Sequence, residues 1–164
     1  MACCLAETAG AGVIEYVELE AGLESEAFHY LESHIMREDG LQVRAYDLVT
    51  LTPAKPWVFK LYLSYVGGKI EYDGKLRGSD FTIKGDTSNS IFNVRAIAGY
   101  LLDWDTFALL PYTGLGYRFW ANDLNDLNNK YPFGDIGYKR EQTYWYFPLG
   151  GEFSIPLSDD KRWT

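Results

Sequence analysis

Between residues 17 and 31 apolar and polar positions alternate with little interruption. Val17, Leu19, Ala21, Leu23, Ala27 and Leu31 fall on one parity, and Glu18, Glu20, Glu24 and Glu26 on the other. Successive side chains of a strand point to opposite faces, so this spacing predicts a long strand with an apolar face and a carboxylate face. The pattern returns along the chain. Residues 41–51 set Leu41, Val43, Ala45, Val49 and Leu51 against Gln42, Arg44, Tyr46 and Thr50, and residues 57–72 set Trp57, Phe59, Leu61, Leu63 and Tyr65 against Lys60, Tyr62 and Ser64. Residues 90–102 oppose Phe92, Val94, Ala96, Ala98, Tyr100 and Leu102 to Asn93, Arg95 and Gly99, while residues 106–120 oppose Phe107, Leu109, Leu115, Tyr117 and Phe119 to Tyr112, Gly114, Gly116 and Arg118. In residues 140–157, Trp145, Phe147, Leu149, Phe153, Ile155 and Leu157 face away from Arg140, Gln142, Tyr144, Tyr146, Glu152 and Ser154. No helical periodicity of similar length competes with these segments.

Alternating segments of roughly ten residues, separated by turns and rich in aromatics, are expected of an antiparallel up-and-down transmembrane β-barrel in an all-β chain. The connections support this reading. Residues 52–56, 103–105 and 158–161 are short and turn-like, whereas 73–89 and 121–137 are long, polar and rich in Gly, Asn and Asp. Short turns on one rim and long loops on the other are usual for bacterial barrels, with the long loops outside the cell. Six spans are visible, and single-chain bacterial barrels have even strand numbers of about eight upward. A seventh strand is therefore expected to open near Trp163, with an eighth closing the barrel.

The chain has 164 residues, enough for one domain, which is assigned to residues 13–164. Its formal net charge of −8 excludes a basic stripe that would track phosphates, so no nucleic-acid partner is expected. No apolar run is long enough for a helical membrane span, although a β-span needs only about 9–11 residues. Cys3 and Cys4 are the only cysteines, and they lie within residues 1–12, read as a signal-peptide remnant or a disordered leader. Cleavage after Ala6 would leave a thiol-free chain suited to an oxidising periplasm.

The stretch Leu110-Pro-Tyr-Thr-Gly-Leu-Gly-Tyr-Arg118 resembles a group of Gram-negative outer-membrane β-barrel proteins, many without an assigned activity. Val17-Glu-Leu-Glu-Ala-Gly-Leu23, Gly68-Lys-Ile-Glu-Tyr-Asp-Gly74 and Tyr144-Trp-Tyr-Phe-Pro-Leu-Gly-Gly151 fit the same resemblance. It implies a barrel in the outer membrane, exported with a removable leader. Against that pattern, a full signal peptide and a final strand ending in an aromatic residue are missing from the sequence.

Alternation alone does not say which face meets lipid. The polar parity collects Glu18, Glu20, Glu24, Glu26 and Glu152 with Arg44, Lys60, Arg95, Arg118 and Arg140, which can satisfy one another as an ion-pair network across a narrow lumen. The opposite parity carries Trp57, Phe59, Tyr65, Phe92, Tyr100, Phe107, Tyr117, Phe119, Trp145 and Phe147, residue types that suit a lipid-facing wall and interfacial girdles. Asp47 is the misfit on the apolar parity, to be accommodated by a bulge or a rim position.

Chemistry is weakly signalled. His29 falls on the apolar side, and His34 follows Glu32 and Ser33, neighbours that do not converge on one nucleophile by themselves. Asp123, Asn125, Asp126 and Asn128 lack the spacing of a calcium loop, no metal-ligand pattern is present, and no helix follows the Gly pairs as a phosphate loop requires. The expectation is therefore a non-enzymatic outer-membrane barrel without cofactor, contacting outer-membrane lipid and the barrel assembly machinery. Its role would be structural, in envelope integrity, or in binding through its loops. A passive porin-like channel, a lipid-modifying enzyme at the rim and a soluble ligand-binding barrel are the alternatives.

Overall fold

The computed structural model describes residues 3–6 by their backbone, and residues 16–75, 79–104, 106–131 and 137–155 in full. The described residues form β1 (Cys3–Ala6), β2 (Tyr16–Glu32), β3 (Met36–Ala54), β4 (Trp57–Lys75), β5 (Thr82–Tyr100), β6 (Leu102–Asp103), β7 (Ala108–Asp123), α1 (Asp126–Lys130), β8 (Lys139–Tyr146) and β9 (Leu149–Ser154). All neighbours in the sheet are antiparallel. The backbone of β1 lies beside Glu18–Ala21 of β2. Strands β8 and β9 pair in succession with β7, so they are one strand broken at Phe147 and Pro148, where proline has no N–H to give the ladder. A similar break at Leu101 separates β5 from β6, which also share β7. Each expected span thus corresponds to a strand or a broken strand. The strand expected near Trp163 and the turn at 158–161 lie outside the described residues, as does most of the leader at 1–12.

The element boundaries differ in one systematic way. Residues 82–89, expected in a long loop, pair with Gly68–Lys75 as the first half of β5, and β3 starts at Met36 rather than near Leu41. These extensions carry charged residues on one parity and mixed residues on the other, so they lack the apolar contrast that marks the rest.

The sheet curls into a half-barrel. On its convex side the extensions differ from the remainder. From Trp57 to Tyr65 on β4, and over the matching rows of β5 and β7, the exterior carries Phe59, Leu61, Phe92, Tyr100 and Leu115, each exposed. Beyond Gly67 the convex side turns to Lys69, Glu71 and Asp73 on β4, Lys84 and Asp86 on β5, and Lys139 and Glu141 on β8. The concave side changes in the opposite sense. Opposite the apolar belt it holds Glu20, Glu24, Arg44, Lys60 and Arg95, whereas opposite the charged exterior it buries Met36, Tyr72, Ile83, Leu124 and Leu127 as one core. The loop helix α1 delivers Leu127 to that core.

Close packing tightens the curl at particular glycines. A Cβ on Gly114 would collide with the backbone of β5, including Ile97 Cα at 2.8 Å, so β5 and β7 approach there as side chains would forbid. Elsewhere tyrosine rings cover glycines on the adjoining strand, Tyr46 over Gly22 and Tyr146 over Gly116.

Candidate functional site

The concave face gathers most of the ionisable residues expected there and adds others. In its lower half, Arg44 on β3 lies beside Glu24 in register on β2 and reaches Glu26 at 2.7 Å and Glu24 at 3.5 Å. The Tyr46 hydroxyl donates to Glu20 at 2.8 Å, and the Arg95 guanidinium stacks on the Tyr62 ring, 5.1 Å from its centroid. Lys60 on β4 meets Glu152 on β9 at 2.5 Å, although these strands share no ladder. All of these residues except Glu26 line a cavity of about 240 Å³ with Leu48, Ile97 and Tyr112. Among the described residues Glu18 and Arg118 form no ion pair, and Arg118 Nε is buried without a hydrogen-bond partner.

Lys60 and Glu152 make the curl measurable. Removing both partners of a confined pair costs less than the sum of removing each alone, because a single change strands one charge. In a double-mutant cycle of Lys60→Met with Glu152→Gln, a coupling of about 1 kcal/mol is expected from denaturant midpoints. Zero coupling would mean that β4 and β9 do not face each other across the concavity.

The upper half holds a network that sequence patterning missed. Glu38, fully buried, accepts both carboxylate contacts from Arg140 Nη2 at 2.7 Å and a hydrogen bond from Asn122 Nδ2 at 2.9 Å. The Arg140 guanidinium lies over the rings of Trp120 and Tyr30, 4.8 and 5.2 Å from their centroids. Below it the Trp120 indole donates to Asn89 at 2.5 Å, and Asn89 donates to Gln42 at 3.0 Å. Arg140 was expected among the lumen bases, yet its acid is Glu38, not a span-one glutamate. Glu38 sits between Arg37 and Asp39, two residues before Gly40 in the sequence, where no apolar contrast betrays a strand.

Glu38, above the apolar belt, has its carboxyl pushed up by burial, with Arg140 and Asn122 pulling against that shift. On the exterior at the same level, hydrogen bonds from His29 and Arg37 hold Asp39 below the ordinary carboxylate range, and Asp73 raises Lys84.

The remaining candidates are dispersed. His29 is engaged by Asp39 on the convex side, and His34 takes φ of 65° in the β2–β3 turn, which Ile35 N–H closes on Glu32 O at 3.0 Å. Glu32, Ser33 and His34 therefore end a hairpin. In the loop before β8, Asn128 and Gly137 bond each other's amide groups, and Asp123 caps Asn125 N–H. Among the described residues no three His, Cys, Asp or Glu side chains gather as a metal site.

The aromatic set lies on the convex wall. Trp145 and Phe147 are 66% and 80% exposed there, while Phe107, Tyr117 and Phe119 are partly covered by neighbours. Asp47 is neither at a bulge nor on a rim. It pairs in continuous register with Ala21 and Leu63 within the apolar belt, exposed above the small side chains of Ala21 and Ala45.

Compared with protein-family models, with curated proteins and with solved structures, the chain matches none.

Proposed function

We propose that this chain is an outer-membrane β-barrel protein of a Gram-negative bacterium, acting through its wall and loops in envelope integrity or binding rather than by chemistry of its own. The observation that carries the reading is the exchange of polarity along single strands. On β4, Trp57, Phe59, Leu61 and Tyr65 are exposed on the convex face with Lys60 and Tyr62 inside, while further along Lys69, Glu71 and Asp73 face out and Ile70 and Tyr72 are buried. A strand bathed in water throughout gains nothing by such an exchange. A strand leaving lipid for water requires it, because lipid accepts apolar side chains outside and water demands a buried apolar core.

The extent of the belt fits as well. It covers roughly the 9–11 residues that a tilted β-span needs, and the aromatics near its ends suit interfacial girdles. Asp47 in the belt is a cost, and a carboxylate on the lipid face costs less than a lysine or arginine there. The Met36, Ile83 and Leu127 cluster covers the upper end of the concavity, which favours a filled barrel over an open channel. Outer-membrane lipid and the barrel assembly machinery are the partners this reading requires. No described helix is long and apolar enough to cross a membrane, so any crossing falls to the strands.

Cell fractionation tests the proposal. The chain should sediment with outer membranes, resist an alkaline carbonate wash and become monodisperse only in detergent. A monodisperse monomer in detergent-free buffer would overturn it.

A further inference from the structure

A second cavity, about 530 Å³, opens on the concave face between the edge of β2 and the edge of β8. Phe28 and Tyr30 form one wall, Tyr144 and Tyr146 the other, and Asn93 and Arg118 lie at the floor in register on β5 and β7. Its volume lies within the range of about 300–1,000 Å³ usual for small-molecule sites, which are commonly aromatic with a few convergent polar groups.

The floor is polar and unused. Arg118 Nε and Asn93 Oδ1 are both buried without hydrogen-bond partners among the described residues, and Arg118 meets no carboxylate. Arg44 and Lys60 have acids, Arg140 has Glu38, and Arg95 has the Tyr62 ring, so Arg118 stands apart from the other concave-face cations. Trp120 is held by Phe28 at 5.9 Å and Tyr30 at 5.2 Å between ring centroids, which gives the cavity a fixed aromatic face.

We propose that this cavity binds an aromatic carboxylate. The carboxylate takes the guanidinium of Arg118, which lines the cavity and has no acid among the described residues, and the flat body lies between the rings. Planar guanidinium groups suit carboxylates, and aromatic walls suit flat apolar bodies at little entropic cost. The proposal concerns the concave face and does not depend on whether the convex belt meets lipid, so its failure would leave the membrane reading intact.

Isothermal titration of the full chain in zwitterionic micelles, corrected for empty micelles, tests it with indole-3-acetate as the probe. Indole-3-ethanol removes the charge. Indole-3-acetate should bind saturably and about tenfold or more tighter than indole-3-ethanol, as a charge-assisted hydrogen bond implies. Arg118→Gln should abolish that preference, and Arg118→Lys should keep part of it. Equal affinity for the charged and neutral indoles, absence of saturable binding, or an unchanged preference in Arg118→Gln would each overturn the proposal. If Arg118→Gln does not fold, the unaltered chain still decides: its Trp120 indole resonance must shift on adding indole-3-acetate, and an unmoved resonance refutes the site.

Discussion

Leu61→Arg should cost about 2–4 kcal/mol of folding stability in a bilayer or micelle, the depth-dependent penalty for arginine on the lipid face near the midplane. Leu61 is the informative position because it lies mid-belt, exposed, in a row with Ala96 and Leu115, with no acid within that row to receive a guanidinium. The matched control points inward. Leu48→Arg places the same side chain on the concave face, in register with Glu20 and lining the cavity that holds Glu24 and Glu152. That change should cost less than about 1 kcal/mol, since the new charge gains acids and keeps access to water. Urea titrations of the protein folded in lipid vesicles provide the comparison. Equal tolerance of arginine at both positions would remove the basis for a lipid-facing belt.

Arg140→Ala should be as damaging for a different reason. It leaves the Glu38 carboxylate, fully buried, with Asn122 as its remaining hydrogen-bond donor, and breaking a buried pair from one side typically costs about 3–5 kcal/mol. The loss should depend on pH. Burial already raises the Glu38 carboxyl above its ordinary value, and removing Arg140 takes away the largest influence that lowers it. A carboxyl whose folded pKa lies above its unfolded one gives a contribution that is present below the unfolded value and is lost as pH rises through the folded value. The stability deficit of Arg140→Ala relative to the unaltered chain should therefore shrink as pH falls through the raised Glu38 value of the variant towards the less raised value of the unaltered chain, and should be smallest once pH reaches the ordinary carboxylate range. Adding Glu38→Gln to Arg140→Ala should recover part of the deficit at neutral pH, because the buried group no longer carries charge. A deficit independent of pH and unrelieved by Glu38→Gln would show that Arg140 acts through its stacking on Trp120 and Tyr30 alone.

What the sequence by itself determined is the set of long strands and the sidedness of each through the belt. Val17, Leu19 and Leu23 against Glu18, Glu20 and Glu24, or Phe59, Leu61 and Leu63 against Lys60 and Tyr62, report their faces locally, because side-chain direction in a strand follows from parity alone. The Glu24–Arg44 neighbourhood was legible for the same reason, since a hairpin with a short turn brings one parity of β2 beside the same parity of β3.

Other features were decided only by tertiary structure. The curl that brings Glu38 on β3 against Arg140 on β8, strands that share no ladder, joins positions far apart in the chain, and the identity of either residue says nothing about the other's distance. Residues 82–89 pair because β4 continues past Gly68 to offer a partner, not because their own pattern demands a strand. The exchange of polarity beyond Gly67 was invisible for a related reason. Tyr72 and Ile83 become a core only when α1 brings Leu127 over them, and without that cover the same residues read as the uneven end of a span and a loop. Parity is a property of one strand, whereas burial depends on what the curl of the whole sheet places opposite it.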